Sequence, residues 1–361
     1  MPQFTDRSEF PGLEGGVYAN TPACGLISKT LVEWRREQDQ VFLKGGAQVF
    51  MKQQAILSET RKSLRRYLGV QNERALALVP NFSWGFNAFL EGLPKEQTVL
   101  CLEGEYPSLL WPFQERGYKI RTVAKSLLVE EELTEILKKE RIDILAISLV
   151  QWLDGFQINM QWLKQIKRLH PGLLIIADGT QYCGIEAFDF DTSGIDVLGA
   201  SGYKWLLGGY GNGFFCFNDK TLTNTKLSQL GFGSVRGDAD KRAGIGLAEC
   251  LEPGHQDALA LGSLGRSVEQ LMDWGLETIV EQNQKLHQAV LTHIGAKGLL
   301  DELDFNRSQH GMIYSIAYSE ERWRRLNEGA KVHCALRSGR IRLGFHFYNV
   351  VEEVEQIASL L

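Results

Sequence analysis

At 361 residues and 40.7 kDa the chain exceeds one ordinary domain, and its length alone suggests two. With 44% hydrophobic and 23% charged residues, 37 Gly and only 9 Pro, its composition excludes disordered, collagen-like and low-complexity proteins. A formal charge of -5, from 39 Lys+Arg against 44 Asp+Glu, argues against broad binding of nucleic acid or anionic membrane.

The start, MPQFTDRSEFPGLEGG, has no basic segment leading into an apolar stretch, so no secretory signal is expected, and no apolar run is long enough to span a bilayer. Residues 26–68 read as two helices broken at Gly45-Gly46. Apolar strand-like runs then alternate with amphipathic stretches: ALALV (75–79), TVLCL (98–102), IRTV (120–123), DILAISLV (143–150), LLIIA (173–177), DVLGA (196–200) and GFFCF (213–217). EEELTEILKKE (130–140) and NMQWLKQIKRL (159–169) are the clearest helices between them. Continuous rather than alternating apolar runs indicate strands buried on both faces, hence an α/β fold with a mostly parallel seven-stranded sheet sandwiched by helices. After about residue 250 the pattern changes to long helices over 258–296, then MIYSIAYS (312–319), a helix at 320–329, KVHCAL (331–336), RIRLGF (340–345) and a last helix at 350–361. The expectation is a large domain over 18–257 and a smaller α+β domain over 258–361 that includes the N-terminal segment 1–17. Six scattered cysteines (Cys24, Cys101, Cys183, Cys216, Cys250, Cys334) form no CxxC pair; neither a disulfide framework nor a metal site is expected, and a reducing cytoplasm is the default location.

Open α/β sheets bind ligands beyond the carboxyl ends of their strands, so the residues following each strand matter most. LLIIA ends in Asp178-Gly179-Thr180-Gln181, which places a carboxylate at a strand mouth, either as a ligand or as a turn cap. DVLGA runs into Ser201-Gly202-Tyr203-Lys204-Trp205; a lysine between two aromatics is either a snorkelling side chain or an amine kept reactive by desolvation. Gly208, Gly209, Gly211 and Gly213 lead into a strand rather than a helix and lack GxGxxG spacing, so a nicotinamide fingerprint fails. ALALVP leads into Asn81-Phe82-Ser83, a polar turn at a helix start that suits an anion, or an N-cap alone. Tyr106 follows TVLCLEGE and either stacks on a planar ligand or packs. An amine, a carboxylate, an aromatic and an anion cradle in this order fit one cofactor, pyridoxal phosphate.

The sequence resembles the class V aminotransferase group of fold-type I pyridoxal-phosphate enzymes, which includes cysteine desulfurases, selenocysteine lyases and kynureninases, from about Tyr18 to the C-terminus. The resemblance implies that Lys204 forms the Schiff base, Asp178 faces the pyridine nitrogen, Gln181 lies near the ring hydroxyl and Tyr106 stacks on the ring. It places Phe82, Ser83, Ser201 and Tyr203 at the phosphate and Gln151 beside the cofactor. Leu251-Glu252-Pro253-Gly254-His255 resembles a segment whose last residue reaches the phosphate of the neighbouring subunit, with His255 where the family has threonine. Arg342, opening a segment that runs to Tyr348-Asn349, resembles the arginine that grips the substrate α-carboxylate, and Asn20 lies in the N-terminal segment near the substrate. Arg337 and Arg340 read as a solvated cluster, and Cys334 as a buried strand thiol rather than the nucleophile of a desulfurase. The implied protein is a cytoplasmic homodimer with active sites at the subunit interface, acting on an α-amino acid by transamination or by lyase chemistry, C–S or C–Se cleavage included; a catalytically inactive binding protein on the same scaffold is the rival from another class.

Overall fold

The Ser28 hydroxyl accepts the Leu31 amide and opens the helix Lys29–Gly45. Gly46, at φ 51, ends that helix, and a single tight turn leads into Val49–Leu68, which left-handed Gly69 closes. The break expected at Gly45-Gly46 is therefore a short reorientation between two helices. The computed structural model describes residues 7–235, 238–329 and 331–361. The first six residues, part of the segment expected to join the smaller domain and of the start read for a signal, lie outside the described residues.

All seven expected strands form one sheet: β1 (Leu76–Val79), β2 (Thr98–Leu102), β3 (Lys119–Val123), β4 (Ile144–Ser148), β5 (Leu174–Asp178), β6 (Val197–Ser201) and β7 (Gly213–Phe217), in the order β1-β7-β6-β5-β4-β2-β3. Strands β1, β4, β6 and β7 are buried at every position, as their unbroken apolar runs require, whereas edge strand β3 is buried only at Val123. β3, β2, β4, β5 and β6 run parallel, and β7 runs antiparallel to both β6 and β1. The reversal follows from the β6–β7 connection, a close-packed loop rather than a crossover helix. Phe215 on β7 fills the space left by glycines: a Cβ on Gly199 or Gly85 would lie 2.5 Å from its ring.

Helices Ala258–Trp274 and Leu276–His293, divided at Gly275, lead to a second sheet in the order β8-β10-β9: β8 (Ile313–Ala317), β9 (Ala335–Arg337) and β10 (Arg340–Gly344), all antiparallel. Of the expected strand 331–336, only its last two residues join β9; ahead of them His333 makes an isolated bridge to Tyr18, and Lys331 turns at φ 51. The helix expected at 320–329 is Glu320–Arg324 followed by a wider turn over Arg325–Gly329. Ser338 and Gly339, at φ 47 and 72, make the two-residue hairpin turn that fixes the β9–β10 register. The N-terminal segment threads between these strands: the Ala19 amide donates to the His333 carbonyl, and the Gly344 amide to the Ala19 carbonyl, both at 2.9 Å. Asp257, at the expected domain boundary, caps Ala258–Trp274, and that helix lies along Val49–Leu68, with Gly265 against Thr60.

Candidate active site

Asp178 is the last residue of β5, in register with Ser148 on β4 and Gly199 on β6. It is 5% exposed, and Oδ1 accepts the Thr180 amide at 2.8 Å. Burial raises its pKa, against the Thr180 hydrogen bonds and the Lys204 charge. Lys204, in the loop after the adjacent strand β6, is also 5% exposed. Burial lowers its ammonium to about 8; Asp178 opposes the shift, while Arg342 and Arg337 add to it. Nζ lies 5.4 Å from the Tyr106 ring centre and 5.5 Å from that of Tyr203. The loop that carries this amine is tightly constrained. The Gly208 amide donates to the Gly202 carbonyl at 2.9 Å, Leu207 adopts φ 56, and a Cβ on Gly25 would lie 2.0 Å from the Lys204 carbonyl oxygen.

At the other end of the same cavity, of about 410 Å³, the helix Phe82–Leu90 begins. Asn81 caps it by accepting the Trp84 amide, the Phe82 amide donates to Ser201 Oγ at 2.9 Å, and Ser83 Oγ meets Ser108 Oγ at 2.7 Å. Three hydroxyls and a helix N-terminus thus converge, a suitable setting for an anion. The Tyr203 ring stacks on exposed Tyr210 at 4.7 Å.

Gln181 lines the cavity, yet its amide is engaged by protein: Oε1 accepts Trp205 Nε1 at 2.7 Å, and Nε2 donates to the Pro22 carbonyl at 3.2 Å. Gln151 is buried behind the wall; its Nε2 donates to Glu105 at 2.8 Å, and its Oε1 has no partner. Glu105, which the sequence reading passed over, is 4% exposed. Burial pushes its carboxyl up to about 7, Asp178 adds to the shift, and hydrogen bonds from Ser148 and Gln151 oppose it. Its signal was the same as that of Asp178, a carboxylate just past an apolar strand. Ser108, Ser148, Trp152, Thr180 and Tyr210 also line the cavity, and nothing in the local sequence marked them.

Arg342 on β10 is 3% exposed; Nη1 donates to the Trp152 carbonyl at 2.8 Å, and Nε is buried without a partner. Burial lowers its pKa to about 10, as does Arg337. Asn20 bridges to Gly344, two positions along the strand, with its side-chain oxygen buried and unpartnered. His255 stands apart from this cavity within the chain, between the rings of Phe50 and Phe232 at 6.0 and 6.2 Å. Beside it Glu252 accepts the Leu78 amide at 2.7 Å and pairs with Arg61. Cys334 is half-buried in the extended segment before β9 rather than within a strand, and burial raises its thiol to about 11. Among the described residues no group of three or more His, Cys, Asp or Glu side chains is placed to hold a metal.

Residues 37–357 match the family Aminotransferase class-V. The uncharacterised aminotransferase YcbU of Bacillus subtilis (strain 168) is 23% identical, over 83% of this chain and 82% of that protein. The isopenicillin N epimerase of Amycolatopsis lactamdurans is 24% identical, over 95% and 93% of the two chains. Among solved structures, a mutant of C-DES with glycine covalently linked to its PLP cofactor superposes with a TM-score of 0.86 at 17% identity, covering 98% of both chains. The cysteine desulfurase CsdA of Escherichia coli gives 0.83 at 16% identity, covering 98% of this chain and 96% of the other. These structures share the seven-stranded architecture. The chain belongs to the class-V aminotransferase family. It is a pyridoxal-phosphate-dependent transferase or lyase.

Proposed function

We propose that the protein acts on an α-amino acid, with Lys204 as the residue that holds pyridoxal phosphate covalently and moves the proton at the substrate α-carbon. The supporting observation is the buried amine and carboxylate of Lys204 and Asp178, carried by adjacent strands over one cavity. The residues fit the cofactor: a buried amine with a lowered pKa, an acid at a strand end, a ring at Tyr106, and a hydroxyl-lined helix start. When bound, the cofactor supplies an electron sink for charge developing at the substrate α-carbon. Asp178 favours a proton on the ring nitrogen. Ser83, Ser201 and the Phe82–Leu90 helix start hold the phosphate, with Ser108 and Tyr203 beside them; Tyr106 covers the ring and Gln181 borders it, while Gln151 backs the wall through Glu105. Arg342, a buried cation without a carboxylate partner among the described residues, fixes the substrate carboxylate, and Asn20 lies near it. With its pKa near 8, Lys204 exchanges its proton close to neutral pH. Borohydride treatment of the reconstituted enzyme tests the reading: the cofactor mass must appear on the peptide containing Lys204, and its attachment elsewhere sinks the assignment.

The reading extends to a homodimer whose partner meets His255 and the exposed Phe42, Leu43 and Met51. It includes a division into a sheet-bearing domain and a smaller C-terminal one, and a cytoplasmic location, which six unpaired thiols suit. C–S or C–Se cleavage is the second reading. The raised pKa of Cys334 favours elimination without a persulfide on the protein. Assay of keto acid, sulfide and alanine separates transamination from cleavage, and sulfide release by Cys334→Ser that matched the wild type would remove the thiol from the mechanism.

A further inference from the structure

Of the described residues that line the cavity, only Asp178 and Lys204 are acidic or basic, and the reading above gives both to the cofactor. The rest of the wall is hydroxyls, amides, apolar groups and rings. Trp152, in the loop after β4, stands out among the rings by its placement. Its carbonyl accepts Arg342 Nη1 at 2.8 Å, and its ring meets that of Tyr106 edge-on, at 5.5 Å and 70°. One residue of the wall therefore touches both the cation assigned to the substrate carboxylate and the ring assigned to the cofactor. The indole is also held in place. Its one polar atom, Nε1, donates to the Gly104 carbonyl at 3.1 Å, in the loop that carries Tyr106 two residues further on. With that N–H spent and the side chain only half-buried, what Trp152 offers the cavity is an uncovered apolar face.

We infer that Trp152 selects the substrate: the side chain of the amino acid lies on the indole face, and the class accepted has an uncharged, apolar side chain, as leucine, methionine and phenylalanine do. The inference rests on the reading of the site given above and names its substrate class. A substrate joined to the cofactor at one end and to Arg342 at the other spans the gap that Trp152 borders. There an apolar side chain covers indole surface that is otherwise wet. A charged one loses water and gains no counter-charge, because the wall has none to spare.

Spectral titration of the reconstituted enzyme with amino acids tests this, with the cofactor absorption band as readout. Leucine and phenylalanine are expected to bind roughly tenfold tighter than alanine, aspartate or lysine. Trp152→Ala brings these ratios close to one, Trp152→Gln lowers them by making the wall polar, and Trp152→Phe keeps most of the preference. A Trp152 needed only to seat Arg342 or Tyr106 would, when replaced, weaken every amino acid alike and leave the ratios as they were. A partner subunit already lying on the indole face also predicts unchanged ratios. Unchanged ratios in both Trp152→Ala and Trp152→Gln, or equal binding of apolar and charged amino acids by the wild type, overturn the inference. A cofactor band that responds to no amino acid strikes the reading of the site itself, and the inference with it.

Discussion

Glu105 accepts both the hydroxyl and the amide of Ser148, at 2.5 and 3.0 Å. Ser148 stands in register with Asp178 on the next strand, so this carboxyl is fixed directly behind the residue assigned to the cofactor ring. The same carboxyl takes the Gln151 amide and thereby leaves the Gln151 oxygen as an unused acceptor.

Glu105 has a measurable pH signature. Its carboxyl is raised from 4.5 to about 7, chiefly by burial, so the folded chain holds a proton that the unfolded chain has released. Its contribution is complete below about pH 4.5 and declines as the pH rises through 7. Denaturant titrations from about pH 4 to 8 should show the wild type losing stability relative to Glu105→Gln across that window. A parallel offset at every pH would count against the burial.

Lys204 shows the opposite sign. Its ammonium is lowered from 10.5 to about 8, so between these values the unfolded chain binds the extra proton and stability rises with pH. Cofactor-free wild type should therefore lose ground to Lys204→Met as the pH falls from 10.5 through 8, and capture of added pyridoxal phosphate should accelerate with an apparent pKa near 8. Stopped-flow absorbance follows the capture. A rate independent of pH would contradict the perturbed amine.

Arg342→Lys keeps the charge and removes the planar fork. The expected result is a KM raised roughly ten- to a hundredfold with a smaller change in kcat, because carboxylate binding is lost before chemistry is. Steady-state kinetics with the preferred amino acid decides. An unchanged KM would remove Arg342 from the substrate.

Gly199→Ala pushes a methyl group to 2.5 Å from the Phe215 ring, in the sheet and away from the cavity. The expected loss is about 1–3 kcal/mol of stability from overpacking, read by thermal or denaturant unfolding. A neutral result would show that Phe215 can move aside.

The large sheet was legible because its strands are unbroken apolar runs, and their buried ends carried the acid at Asp178 and the aromatic-flanked amine at Lys204. Strand direction was only partly legible. The reversal at β7 depends on how the 202–212 loop packs, and the glycines there permit many paths without selecting one. Glu105 carried the same local signal as Asp178, a carboxylate following an apolar run, but its partners, a serine and a glutamine, lie far along the chain and were not legible. Arg337 read as solvated, and it is exposed in the structure, opposite Arg340 in the hairpin register.

The threading of residues 18–25 sets an order of assembly. Ala19 is clasped by His333 and Gly344, while the Gly25 amide donates to the Tyr203 carbonyl, one residue from the lysine. The segment that carries Ala19 must therefore wait, unplaced, until His333 and Gly344 have been made. A nascent protein can complete its large sheet well before this pocket closes, and a product truncated ahead of His333 would lack the clasp as well as the arginines.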